Sequence, residues 1–112
     1  MRDISVILVT WNSAGEITNC VKSVIQALDG LAAELIIIDN NSADDSFALI
    51  NKINFPKLTT VQNPGNLGYT KAVNQGIELS KSKYVLLLNP DTILKEESIR
   101  VMKDFLDGNP AY

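Results

Sequence analysis

Apolar residues fall along this chain in four short runs, with stretches of helical period between them. The runs Ile4–Thr10, Glu34–Asp39, Leu58–Gln62 and Lys83–Leu88 read as strands. All but Leu58–Gln62 are near-continuous Val, Ile and Leu rather than alternating, the pattern of strands covered on both faces of a parallel sheet. Leu58-Thr59-Thr60-Val61-Gln62 is more polar and suits a sheet edge.

The intervening stretches predict four helices. Ser13-Ala14-Gly15-Glu16 has the spacing of a capping box, Ile17, Val21, Val24 and Leu28 make one apolar face, and Asp29-Gly30 ends it. Ser42 is the expected cap of a second helix, with Asp44 and Asp45 in its first turn, a stripe of Phe47, Ile50 and Ile53, and Pro56 as its stop. A third spans about 70–80 on Ala72, Val73, Ile77 and Ser80. A fourth rests on Ile99, Met102, Phe105 and Leu106 and closes at Gly108-Asn109-Pro110.

This βαβαβαβα alternation, without repeats or linkers, calls for a parallel sheet with right-handed crossovers and helices on both faces. The expected fold is a single three-layer α/β domain over residues 1–112, Rossmann-like, with a four-strand sheet in the order 3-2-1-4. In that order the fourth strand is an edge, and its Tyr84-Val85-Leu86-Leu87-Leu88 run carries no charge to guard it. A homodimer, or poor solubility, built around that edge is therefore expected.

Composition narrows the chemistry. At 112 residues, 46% apolar and 21% charged, the chain supports one core. A net charge of −3 without a Lys/Arg stripe gives no footprint for nucleic acid. There is no histidine, so chemistry must rest on carboxylates, amides, hydroxyls, lysines and backbone. Cys20, the single cysteine, reads as a small buried hydrophobe. No apolar run is long enough to span a bilayer, and Met1-Arg2-Asp3 lacks a signal-peptide layout. The expected location is the cytoplasm or the cytoplasmic face of a membrane.

The segments after the strands are more telling. The strands end in Thr10-Trp11-Asn12, Asp39-Asn40-Asn41-Ser42, Asn63-Pro64-Gly65-Asn66-Leu67-Gly68 and Asn89-Pro90-Asp91-Thr92. In a parallel sheet these share the carboxyl edge, where open α/β folds bind ligands. Any one of them is an ordinary turn sequence; four on one rim point to a site. The first turn lacks G-x-G-x-x-G, and Thr70-Lys71 does not stand in a P-loop context, which disfavours dinucleotides and P-loop chemistry. Asp39 occupies the position of a ribose-binding acid. Asp91, beside Asn89, offers a hard oxygen suited to Mg²⁺ or Mn²⁺. A nucleoside at one end and a metal-bound diphosphate at the other describe a nucleotide sugar.

The same residues resemble family-2 glycosyltransferases of the GT-A fold across essentially the whole chain. Ile4-Ser5-Val6-Ile7-Leu8-Val9-Thr10-Trp11-Asn12 is similar to the family's first strand, and Ile37-Ile38-Asp39-Asn40-Asn41-Ser42 to its second. Asn63-Pro64-Gly65-Asn66-Leu67-Gly68, with Ala72, Asn74 and Gly76, resembles its third loop and helix. Leu88-Asn89-Pro90-Asp91-Thr92 stands where its D-x-D motif sits, in the variant of rhamnosyltransferase-like members. The resemblance implies an inverting transferase that moves a sugar from a UDP- or dTDP-linked donor to a glycan or lipid-linked acceptor. It implies that Thr10, Trp11, Asn12, Asp39, Asn41, Asn66, Gly68 and Asn89 bind the nucleotide and that Asp91 binds the metal. Trp11 reads as core or as base-pocket wall. Gly65 and Gly68 allow either close backbone approach or only a turn, and Asn74 and Gly76 read as packing residues.

Two departures carry consequences. Asn89 replaces the first Asp of D-x-D, leaving the motif one carboxylate fewer. The family's catalytic base lies downstream of that motif, and Glu96, Glu97, Asp104 and Asp107 read instead as a solvated helix face. The chain is therefore expected to be a donor-binding half, without the acceptor half. A nucleotide-binding module without transfer chemistry is the rival reading. A receiver-like signalling domain is disfavoured, because Thr10-Trp11-Asn12 stands where a receiver needs acids.

Overall fold

A computed structural model describes residues 2–109, with the Arg2 side chain left aside. The chain runs β1 (Arg2–Thr10), α1 (Ile17–Leu28), β2 (Ala33–Asp39), α2 (Ser46–Asn51), β3 (Leu58–Gln62), α3 (Tyr69–Leu79), β4 (Ser82–Leu88) and α4 (Ser98–Gly108). All strand pairings are parallel, in the order β3-β2-β1-β4, as the alternation required. Pro110 of the expected fourth-helix stop lies outside the described residues.

Register explains the two cores. Ile4, Val6 and Leu8 pair with Ala33, Leu35 and Ile37 on one side and with Tyr84, Leu86 and Leu88 on the other. That face is covered by Ile17, Val21, Val24 and Leu28 of α1, with Ile50 and Ile99 from α2 and α4. The opposite face presents Ile7, Val9, Ile36 and Ile38 to Ala72 and Val73 of α3. Gly76 makes that second contact close, since a Cβ there would stand 2.6 Å from Ile7 Cγ2.

The helix layers follow from handedness. The crossovers β1→β2 and β2→β3 step one way along the sheet, and β3→β4 steps back past β1. With right-handed connections, α1 and α2 then fall on one face and α3 on the other. The order reverses between β1 and β4, a topological switch point at whose carboxyl end open α/β sheets bind ligands.

Several local expectations are corrected. β4 is not covered on both faces: α3 packs over β1 and β2, leaving Val85 and Leu87 exposed at 41% and 42%. On α3 the inward position belongs to Gly76, and Ile77 is exposed. Met102 and Phe105 of α4 are exposed too, and only Ile99 of that helix is fully buried. The capping box does not form, because the Ser13 hydroxyl donates to the Trp11 carbonyl and α1 begins only at Ile17. Ser42 does not cap α2 either. That helix starts at Ser46, whose N–H donates to Asp44. Among the described residues no helix is long and apolar enough to cross a membrane.

Candidate functional site

The turns after β1 and β2 are locked to each other. Asn12 takes a left-handed φ of 52°, a conformation Asn tolerates better than most residues. It turns its Oδ1 to accept from Ala43 N at 2.7 Å while its own N–H donates to Ser42 Oγ at 2.9 Å. Ser42 donates from N and Oγ to the two oxygens of Asp39, at 2.9 and 2.6 Å. Ser13 N donates to Ser46 Oγ, and Ala14 N donates to Asp44 Oδ2. The Ser46 hydroxyl above all, then the backbone N–H groups of Ser46 and Ala14, hold the Asp44 carboxyl below its ordinary value.

The turn after β3 is tied in by amides. Asn63 Nδ2 donates to Asn40 Oδ1 and to Gln75 Oε1, and Gln75 Nε2 donates back to Asn63 Oδ1, all within 2.9 Å. Asn40 Nδ2 donates to the Gly68 carbonyl at 3.1 Å. Gly68, at φ 85°, precedes α3 and donates its N–H to Asn66 Oδ1. Only glycine takes that backbone without strain.

These turns and the segment after β4 enclose a cleft of about 350 Å³ at the switch point. Its lining is Val9 near the end of β1, Trp11 and Ser13 from the first turn, Asn40 from the second, Asn66 from the third, Tyr69 at the start of α3, and Asn89 and Pro90 from the segment after β4. A second hollow of about 340 Å³ shares Ser13, Asn89 and Pro90 with it and adds Glu16 and Asp91. A cavity of similar size at the amino ends of β2 and β3 is lined by residues such as Ile25, Leu28, Phe55 and Pro56. It also carries Asp29 and Lys57, but it lies at the edge opposite the carboxyl rim where open α/β folds bind ligands.

The structure therefore sorts the anticipated residues. Trp11, Asn66 and Asn89 line the cleft, and Asp91 lines its extension. Trp11 is 54% exposed, so its reading as core is corrected. Thr10 and Asp39 lie fully buried at the ends of paired strands, behind the cleft wall. Thr10 Oγ1 is the one buried side-chain polar atom without a protein partner among the described residues. Both Asp39 oxygens are engaged by Ser42. Asn12 braces the loops, and Asn41, at φ 65°, is exposed on the second turn. Gly68 shapes the third turn, and Gly76 packs as expected.

Tyr69, Ser13, Glu16 and Gln75 were not anticipated as site or support residues, and Asn40 and Asn63 were anticipated only as members of the rim segments. A signal existed for Gln75: it lies one position before Gly76 and three after Ala72, on the inward edge of α3.

Could a divalent ion fit here? Among the described residues no cluster of three or more His, Cys, Asp or Glu side chains forms. Asp91, the Asn89 amide and Glu16 across the hollow nonetheless give one or two carboxylates, the protein share in sites that Mg²⁺ completes with water and substrate phosphates. The donor set fits a metal that arrives with a diphosphate.

The sequence profile of Glycosyl transferase family 2 matches residues 5–112. The chain belongs to that family. Among family relatives, succinoglycan biosynthesis protein ExoO of Rhizobium meliloti is 27% identical over 109 residues, covering 97% of this chain and 31% of its own length. Poly(ribitol-phosphate) β-N-acetylglucosaminyltransferase TarP of Staphylococcus aureus is 31% identical over 112 residues, covering 94% of this chain and 33% of TarP. Staphylococcus aureus TarS 1–349 in complex with UDP-GlcNAc superposes at a TM-score of 0.88 with 25% identity, covering 96% of this chain and 32% of that one. Mannosyltransferase PcManGT of Pyrobaculum calidifontis, in complex with GDP-Man and Mn²⁺, shares the fold at a TM-score of 0.85 and 18% identity, covering 95% and 34%. The chain is a GT-A fold that spans about one third of the length of these relatives.

Proposed function

We propose that this chain binds a UDP- or dTDP-linked sugar as the donor part of an inverting glycosyltransferase, with a glycan or lipid-linked acceptor. The observation that carries the reading is the cleft at the switch point between β1 and β4. There an exposed Trp11 and the amides of Asn40, Asn66 and Asn89 converge, next to a hollow carrying Asp91. The UDP-GlcNAc complex of TarS, on the same fold, supports a nucleotide sugar as the ligand class.

In this reading Trp11 and Tyr69 wall the cleft with planar rings against which a base can lie. Asp39 and Thr10 sit behind that wall and set its polarity, Asp39 reaching the base or ribose by exchanging a bond with Ser42. Asn66 and Asn89 offer amides to ribose and phosphate oxygens. Asp91, with Asn89, holds the divalent metal. Bound there, Mg²⁺ or Mn²⁺ neutralises the charge that builds on the departing diphosphate. Of the carboxylates after Asp91, none lines the cleft or its extension. Asp107 is held by Lys83, Lys103 and Tyr84. That observation favours the second reading, donor binding without transfer by these residues alone.

Calorimetric titration tests the first reading. UDP and dTDP bind more tightly than ADP, Mn²⁺ strengthens the binding, and Asp91→Asn removes the metal's effect. Equal affinities for ADP and UDP would overturn the pyrimidine assignment. We also propose a homodimer through β4, whose edge and exposed Val85 and Leu87 offer a strand-pairing surface. Light scattering then reads twice the monomer mass, and a strictly monomeric species at high concentration contradicts it.

A further inference from the structure

The segment that carries Asp91 is held from below by one turn of α1. Sequence alone treats that turn as a plain apolar face, but two of its inward residues are polarisable or polar. Cys20 and Ser23 are buried, at 0% and 7% exposure. A serine inside a helix ordinarily points to solvent or bonds a carbonyl of the preceding turn. Ser23 does the second and something more. Its hydroxyl donates to the Cys20 carbonyl at 2.7 Å, which leaves its oxygen aimed outward to accept the Leu94 N–H at 3.0 Å. One turn earlier, the Cys20 thiol donates to the Asn89 carbonyl at 3.7 Å. That same carbonyl accepts the Thr92 N–H at 3.0 Å, closing a turn around Asp91.

Asp91 thus lies between two anchors, Asn89 on Cys20 and Leu94 on Ser23. Its side chain is exposed, so the direction of the carboxylate follows from the backbone that bears it.

We infer that Cys20 and Ser23 are positioning residues that aim Asp91 and Asn89 at the metal-bound diphosphate. The inference rests on the reading of Asp91 as metal ligand. It adds a cause for the geometry of a motif that has one carboxylate fewer than usual. With a single strong ligand, affinity depends on where that ligand points.

The test uses the whole chain, with UDP as nucleotide and Mn²⁺ as metal, and reads binding rather than turnover. Ser23→Ala removes the acceptor of the Leu94 N–H. Ser23→Thr keeps it, and Cys20→Ala removes the second anchor. Expected for Ser23→Ala is unchanged UDP affinity without metal and a loss of about 10-fold in apparent Mn²⁺ affinity, the low end for residues that orient metal ligands. Ser23→Thr restores the parent value. Cys20→Ala gives a smaller loss of the same kind, and it stands in should Ser23→Ala fail to fold. Full Mn²⁺ enhancement in both alanine variants, while Asp91→Asn abolishes it, would overturn the positioning role and leave the Asp91 reading intact. Equal weakening of UDP binding with and without metal overturns it as well, since that is what loss of structure alone would do. Enhancement that survives Asp91→Asn removes the metal reading, and the positioning role goes with it.

Discussion

The two sides of the switch point are built differently. On the β1–β2 side, turns 11–16 and 40–46 interlock through four side-chain hydrogen bonds, Asn12–Ser42, Ser13–Ser46, Ala14–Asp44 and Ala43–Asn12, and Ser42 adds two more to Asp39 at the end of β2. On the β4 side, the segment after Leu88 has two attachments from side chains of α1, and its Asn89 and Asp91 are exposed. The first side is a preformed wall, suited to a rigid group recognised by shape and edge. The second leaves the side chains of Asn89 and Asp91 exposed. In the reading proposed above, a rigid base and a metal-bridged diphosphate would make these different demands on the two sides.

The comparison breaks most readily at its two carboxylates. Asp39 is fully buried and accepts two bonds from Ser42, whereas Asp91 is exposed. Hydrogen bonds to charged groups contribute roughly 1.5–3 kcal/mol each, offset in part by the desolvation of the carboxylate. Asp39→Ala is therefore expected to cost about 2–3 kcal/mol in urea unfolding and to weaken UDP binding with or without metal. Asp91→Asn should stay within about 0.5 kcal/mol of the parent in stability, as exposed substitutions usually do, and lose only the metal effect. Similar stability losses in the two variants would mean that the rim is not divided as described.

Legibility in the sequence followed the same division. The strands, their parallel pairing and the rim were readable because apolar runs alternating with helical stretches call for a parallel sheet, and a parallel sheet puts the segments after its strands on one edge. Trp11, Asn66 and Asn89, anticipated from those segments, line the cleft, and Asp91 lines the neighbouring hollow. The bracing was less legible. Ser42 and Ser13 are residue types that cap helices, but the Ser42 hydroxyl donates to Asp39 and accepts from Asn12, and the Ser13 hydroxyl donates to the Trp11 carbonyl instead. The hydrogen bonds joining Asn63 to Gln75, or Leu94 to Ser23, link residues 12 and 71 positions apart, where no periodicity signals a pairing. The exposure of Val85 and Leu87 was hidden too, since an apolar run looks alike whether one or both of its faces are covered.

The finest contrast concerns Asp44, which secures the locked side from an exposed position. Its carboxylate accepts from Ser46 N and Oγ and from Ala14 N. Its pKa is lowered from 3.8, with the Ser46 hydroxyl as the largest cause. A group whose folded pKa is depressed contributes stability that is present above its unfolded value and lost as pH falls through the folded one. Asp44→Asn should therefore leave the protein slightly less stable than the parent near neutrality, and the gap should close in acid once pH drops below 3.8 and through the folded pKa. The measurement is the difference between the two urea midpoints across that range. Exposure and solvent screening keep the gap small, so its sign and its closing in acid are the informative quantities. A gap that stays constant from neutrality into strong acid would show that the shape of the side chain, not its charge, ties the second turn to Ala14 and the start of α2.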